Sequence, residues 1–181
     1  MKKPILPTVP FGLQPHHLKN EIVSLVPLQE EHFEALYAVA SDPLVWEQHP
    51  NPLRYQRSVF KTYFEGAIAS GGAFLILDSQ TGAVVGSSRF YDYNALDSSI
   101  LIGYTFIERA YWGKGYNKEV KRLMLDYSFQ YVDNVYFHIG AFNIRSQKAI
   151  ENIGANKVAE IEVEYYGEDS KLNFIYMISK D

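Results

Sequence analysis

Apolar positions recur along this chain in two rhythms, and the switches between them lay out its elements. Ile22, Val23, Leu25 and Val26 read as a strand ending at Pro27. Glu30, Glu31 and Glu34 then place negative charge where the first turns of a helix favour it. Phe33, Leu36, Tyr37 and Ala40 recur at helical spacing until Ser41-Asp42-Pro43 stops them. A loop with Trp46, His49 and Pro50 to Arg54 leads to a second helix, about Gln56 to Ser70. That helix carries Val59, Phe60, Tyr63, Phe64, Ala67 and Ile68 on one face, and Gly71-Gly72 ends it. The rhythm next turns to strands: Phe74 to Leu77 and Ala83 to Phe90 flank an Asp78-to-Gly82 turn, and Ser99 to Ile107 follows. A helix to about Tyr131, a strand over Val135 to Ile139 and a short helix from Asn143 to its stop at Gly154 come next. Lys157 to Tyr166 and Lys171 to Ser179 close the pattern as a hairpin about Gly167 to Ser170. Residues 1 to about 19 hold four of the eight prolines and show no apolar period, so they read as an extended arm ahead of one domain over residues 20–181.

Composition narrows the function classes. The 181 residues are 47% apolar and 21% charged, ordinary usage for a globular domain. A chain of this length buries roughly 70% of its unfolded surface without a disulfide or metal staple. With no Cys it can form neither a disulfide nor a thiolate zinc site, and its five His lack the local pairing of a metal motif, so no metal is expected. A net charge of -4 disfavours nucleic acid as a partner. Apolar runs such as Ala73 to Leu77 are strand-sized, far below the roughly 20 residues of a membrane-spanning helix. Pro4, Pro7 and Pro10 break any apolar leader after Lys2-Lys3. A cytoplasmic protein with no membrane role is the expectation.

The stretch Arg109 to Glu119 carries the chemistry. It leaves a strand, passes Gly113 and Gly115, and enters an amphipathic helix. Glycines let the backbone approach a phosphate, and the unbonded N–H groups of a helix's first turn point at it with the positive end of the macrodipole behind them. Lys114 and Lys118 add cationic charge. Taken by spacing alone, the same Gly-x-Gly also suits a tight turn before a core helix, and it is neither a P-loop nor a dinucleotide fingerprint. Farther on, Asn143 suits an N-cap with Ser146 at the third helical position, while Ala149, Ile150 and Ile153 form a core stripe.

Taken together, the Trp-Gly-Lys-Gly-Tyr-Asn loop and, one helix and one strand later, Asn-x-x-Ser-x-x-x-Ile-x-x-x-Gly-Ala resemble the GNAT family of acyl-CoA-dependent N-acyltransferases. The likeness is greatest to the branch of ribosomal-protein N-terminal acetyltransferases, and it covers about residues 20 to 179. It implies an α+β fold with a mixed, mostly antiparallel sheet of about seven strands, splayed between strands 4 and 5 and flanked by about four helices. It also implies acetyl-CoA as co-substrate. The family's Arg/Gln-x-x-Gly-x-Gly/Ala loop falls on Trp112, Gly113, Lys114, Gly115, Tyr116 and Asn117, with Lys118 beside it. Trp112 stands where the family has Arg or Gln, and Asn117 where it has a small residue. By the same resemblance Phe106 and Ile107 offer backbone to the pantetheine arm, Asn143 contacts that arm, and Ser146 lies near its sulfur as a general acid.

Acyl transfer from a thioester asks the protein to align a neutral amine, steady the oxyanion and assist the departing thiolate, with no covalent enzyme intermediate. An alkyl amine with a pKa of about 10 must first lose a proton. The strand from Ile100 to Ile107 holds no carboxylate, which leaves Glu108, Asp92, His138 and Glu162 as candidate bases, Glu108 foremost. The acceptor is expected between the first two helices and the last hairpin. Trp46, Tyr55, Tyr63, Phe90, Tyr91, Tyr93, Tyr165 and Tyr166, with Asp92, Glu162 and Glu164, would there form an aromatic and acidic wall for a cationic amine. The leading reading is an N-acetyltransferase acting on a protein N-terminus or a small-molecule amine. The alternatives are a non-catalytic acyl-CoA sensor on the same fold and an enzyme with another phosphate ligand at the loop. A homodimer contact through the arm or the final hairpin is a further expectation.

Overall fold

The computed structural model describes residues 10–181; the first nine residues of the expected arm lie outside it. Seven strands form one sheet: β1 (Val23–Pro27), β2 (Ala73–Asp78), β3 (Val84–Asn94), β4 (Ser99–Ile107), β5 (Asn134–Gly140), β6 (Asn156–Val163) and β7 (Lys171–Ser179). They lie in the order β1-β2-β3-β4-β5-β7-β6, and every neighbouring pair is antiparallel except β4 with β5. That parallel pairing lasts only from Ser99 opposite Asn134 to Leu101 opposite Tyr136. Beyond it the strands part, leaving the second half of β4, Ile102 to Ile107, without a ladder partner on the β5 side. The mixed, splayed sheet expected from the sequence is therefore present.

Five helices flank it: α1 (Phe33–Ala40), α2 (Pro43–Trp46), α3 (Arg57–Ser70), α4 (Tyr116–Ser128) and α5 (Ile144–Glu151). The one beyond the expected four is α2. Ser41-Asp42-Pro43 does end α1, but it also starts a new turn, because Asp42 accepts from the Leu44 amide and Pro43 occupies the first helical position. Where α3 ends, Gly71 takes φ 64°, as a left-handed C-cap requires.

Each face of the sheet buries its own core. On one side Val23, Phe74 and Ile102 pack with Val120 and Met124 of α4 and Ile150 of α5. On the other, Leu75 and Phe106 pack with Leu36 of α1 and Phe60 and Phe64 of α3. Each such side chain contributes about 1.5–3 kcal/mol when fully buried. The described part of the arm belongs to the first core. Phe11 is 6% exposed and edge-on to Phe90, and Tyr127 donates to the Gly12 carbonyl at 2.7 Å. The described part of the arm thus lies over α4 and the sheet face, and Gln14 also bonds the Ala73 carbonyl.

One defect in the ladder sits beside the splay. Ser87 pairs with Phe106 and Arg89 with Gly103, so Ser88 of β3 faces two residues of β4, Tyr104 and Thr105. Tyr104 takes φ 52°, a left-handed conformation costly to a bulky side chain. A bulge of this kind bends the strand and re-aims its backbone. Side chains hold it in place: the Tyr63 hydroxyl donates to the Tyr104 carbonyl, and the Arg89 guanidinium stacks 3.8 Å from the centre of the Tyr104 ring.

Candidate active site

Parting of β4 from β5 opens a cleft of about 420 Å³, a volume in the range of small-molecule sites. Its walls come from β4, β5, α4, α5 and the α2–α3 loop. At its outer end lies the glycine loop. Gly113 and Gly115 take φ 68° and 82°, and no atom stands within 4 Å of where a Cβ would project from either. Among the described residues no backbone or side-chain acceptor takes the amides from Gly113 to Lys118; the first bonded amide of α4 is Glu119, to the Gly115 carbonyl at 3.0 Å. Six unbonded donors therefore lie in the loop and the first turn of the helix, the arrangement of an anion site.

Trp112 ties this loop down. Its indole N–H donates to the Ile107 carbonyl at 2.8 Å, and the Arg145 guanidinium of α5 stacks 4.2 Å from its ring centre. Arg145 also pairs with Glu47 at 2.7 Å, and its amide donates to Gln48 at 3.0 Å, so α5 is fastened to the end of α2 across the cleft mouth. Asn143 is 5% exposed and caps α5 by accepting from the Ser146 amide at 3.2 Å. That is the cap read from the sequence. It leaves the Ser146 hydroxyl facing the cleft with no partner among the described residues.

Of the residues singled out in the sequence, Phe106, Ile107, Trp112, Gly113, Gly115, Tyr116, Asn117, Lys118, Asn143 and Ser146 all line this one cleft. Lys114 projects from the loop into solvent, and Glu108 stands at the start of the short turn Arg109–Tyr111, outside the lining. His138 lines the cleft and Glu162 does not; Asp92 is exposed and outside the lining, yet its charge reaches Tyr91, Tyr104 and His138 of the cleft wall. Asn117 Oδ1 is buried without a donor, an acceptor left open beside the loop. Free loop amides, open space at both glycines, an orphaned acceptor and the lining cations Lys118 and Arg145 fit the polyanionic, hydrogen-bonding arm of coenzyme A. No Asp or Glu lines the cleft.

Of the acids expected in an acceptor wall, only Asp92 has its charge near the cleft, through Tyr91, Tyr104 and His138. Glu162 and Glu164 sit exposed on and after edge strand β6, Phe90 belongs to the opposite core, and Tyr93 stacks on Phe11. In their place the wall is aromatic and centred on a buried ion pair. Arg54 bonds Glu168 through two nitrogens at 3.0 and 2.9 Å, with the side chains 4% and 9% exposed. Its guanidinium lies 5.1–5.7 Å from the ring centres of Trp46, Tyr63 and Tyr165. Burial pushes Tyr63 and Tyr165 up to about 12, so both keep their protons at neutral pH. His49, also on the wall, is pushed down to about 3 by desolvation and the nearby Arg54 and Arg145. His138 is likewise lowered by burial. Both imidazoles are uncharged at neutral pH.

Sequence reading missed three of these features. Arg54 and Glu168 are 114 positions apart and carry no local signal. Strain at Tyr104 leaves no trace in residue type. Lys121, by contrast, was findable: it falls inside the apolar arc of α4, beside Val120 and Met124.

Comparison with known proteins adds to this geometry. Residues 23–156 match the family model described as an acetyltransferase (GNAT) domain. A crystal structure from Chromobacterium violaceum, designated a probable GNAT-family acetyltransferase, is similar with a TM-score of 0.80 at 18% identity, covering 99% of this chain and 94% of that one. A protein of Vibrio cholerae provisionally designated a ribosomal-protein-serine acetyltransferase has a TM-score of 0.70 at 17% identity, covering 90% and 97%. Mycobacterium smegmatis RimJ, solved in complex with CoA-disulfide, has a TM-score of 0.66 at 16% identity, covering 87% and 81%.

Proposed function

Since this chain belongs to the GNAT acetyltransferase family, we propose that it transfers the acetyl group of acetyl-CoA to a primary amine by direct attack within a ternary complex. The observation that carries this reading is the run of free amides from Gly113 to Lys118 at the mouth of a splayed cleft that no carboxylate lines. The pyrophosphate would rest on Gly113, Lys114, Gly115, Tyr116, Asn117 and Lys118. The pantetheine arm would then enter along Phe106 and Ile107, whose β5 side is left without a ladder partner, with Asn143 beside it. Because the Trp112 indole already engages the Ile107 carbonyl, the arm would use that carbonyl's second lone pair or the neighbouring groups. Ser146 would stand near sulfur, where its unpartnered hydroxyl can donate as the thiolate departs.

The acceptor would come from the opposite face, past Trp46, Tyr63 and Tyr165. The named ribosomal-protein acetyltransferase among the similar structures makes a protein N-terminus the first class to try, and a small-molecule amine the second. With no carboxylate lining the cleft, and with burial making both lining imidazoles weaker bases than a free histidine, the amine would release its proton to water. Calorimetric titration with acetyl-CoA, followed by thiol release against N-terminal peptides and small amines, tests the reading. Saturable binding with release for one acceptor class supports it, and absence of binding rejects it.

A further inference from the structure

One charged side chain of the cleft has no task in the coenzyme binding described above. Lys121 projects from the buried arc of α4 and is 4% exposed, yet it lines the cleft. Its sole hydrogen bond among the described residues runs to Thr105 Oγ1 at 2.5 Å, and that hydroxyl meets Ser88 Oγ at 2.8 Å. No carboxylate pairs with it. The titratable groups that share the cleft with it are Lys118 and Tyr116 on its own helix, Tyr111 just before it, Tyr91 and Tyr104 on β3 and β4, His138 on β5, Arg145 on α5, and His49, Arg54 and Tyr165 on the opposite wall. None is a carboxylate, so none supplies the missing counter-charge. Burial alone pushes Lys121 down to about 7. A methionine or leucine would fill the same place without the cost of burying a lone ammonium.

The anchor of Lys121 gives its position meaning. Thr105 lies at the bulge of β4, on the stretch without a partner on the β5 side, two residues inside Ile107. A coenzyme held by the loop, with its arm running inward along that stretch, would bring its thioester to this part of the strand; the inference rests on the acetyl-CoA reading in that respect. We propose that Lys121 is a further catalytic residue: the Ser146 hydroxyl hydrogen-bonds the departing sulfur of coenzyme A, and the Lys121 cation meets that sulfur and returns the proton to it. The acceptor nitrogen bonds to the acetyl carbon, the carbon–sulfur bond breaks, and its electron pair moves to sulfur. Sulfur takes a proton from the Lys121 ammonium, the nitrogen sheds its own proton to water, and Lys121 regains one from solvent. A proton affinity balanced near neutrality suits a group that must give and regain a proton in every turnover.

The test needs no acceptor. Coenzyme A is bound to the wild-type protein and to Lys121→Met and Lys121→Arg, with binding checked by calorimetry and folding by thermal melt. The thiolate absorbance of the bound coenzyme is then followed with pH. The same proteins bound to desulfo-coenzyme A supply the baseline and cancel tyrosinate. We expect the bound thiol to titrate at least about one pH unit lower in wild type and Lys121→Arg than in Lys121→Met, a roughly tenfold difference in thiolate fraction. Binding by all three with identical thiol titrations would overturn the role of Lys121 and leave the acetyl-CoA reading standing. Acetylation of Lys121 itself, found by peptide mass spectrometry after mixing with acetyl-CoA, would overturn it as well by making Lys121 an acceptor. If wild type fails to bind coenzyme A, both readings fall together.

Discussion

The two faces of the splayed sheet build their halves of the cleft from different materials. On the α4 and α5 face the machinery is mostly main chain: loop amides, an open strand edge and one helix cap. On the α1 to α3 face it is side chains buried against one another, with Arg54 clasped by Glu168 among Trp46, Tyr63 and Tyr165. Backbone donors recognise a ligand that is the same in every reaction cycle and tolerate changes in residue type. A side-chain wall instead takes its shape from a few long-range contacts, so it is where one acceptor can be told from another. The first half should fail through affinity for coenzyme, the second through folding and acceptor choice.

The sharpest way to break this division is at the ion pair. Glu168→Gln leaves the Arg54 guanidinium buried without its counter-charge and should cost about 3–5 kcal/mol of stability. Coenzyme affinity of the folded fraction should stay within about threefold, as denaturant melts and calorimetry would show. Next in size is Gly115→Val, which forces a β-branched residue to φ 82° and crowds the phosphate site. It should weaken coenzyme A binding by about 100-fold or more while costing only about 1–2 kcal/mol in stability, since no protein atom stands near the added Cβ. Coenzyme affinity near the wild-type value would remove the loop from the site.

A third effect concerns pH. Lys121 holds its proton less firmly folded than unfolded, so between about pH 7 and its ordinary value of 10.5 the unfolded chain binds more protons and stability rises with pH. The rise should be on the order of a few kcal/mol, and Lys121→Met should flatten it in melts taken across that window. Ser146→Ala should lower turnover about tenfold with little change in acetyl-CoA affinity; equal loss of stability with full turnover would reduce Ser146 to a cap. The smallest effect is expected from Glu108→Gln, outside the lining. Its turnover should fall less than about threefold if water takes the amine's proton, and a larger fall would restore Glu108 as the base.

What was legible in the sequence follows the same division. Asn143 and Ser146 announce their cap within three residues, and Gly71 and the Gly113–Gly115 loop announce positive φ by residue type alone. Local chemistry of this kind makes the half proposed for the coenzyme almost entirely legible. Asp42-Pro43 misleads because the same residues that stop one helix cap and open another. β3 runs on to Asn94, past the expected end at Phe90, because β4 continues to pair with it there. The aromatic content near the acceptor was visible, but its charge was not, since Glu168 and Arg54 meet only after the last hairpin folds back over α3. Tyr104 shows the limit in its purest form: its strained conformation is imposed by Tyr63 and Arg89 from other elements.

The most direct test is an amide-resolved NMR titration of the protein with coenzyme A. Saturable shifts should be largest at the amides of Gly113 to Lys118 and along Thr105 to Ile107, with Arg54 and Glu168 little moved. Shifts concentrated at Arg54, Glu168 and the final hairpin, or none that saturate, would contradict the assignment of the coenzyme to the main-chain half of the cleft.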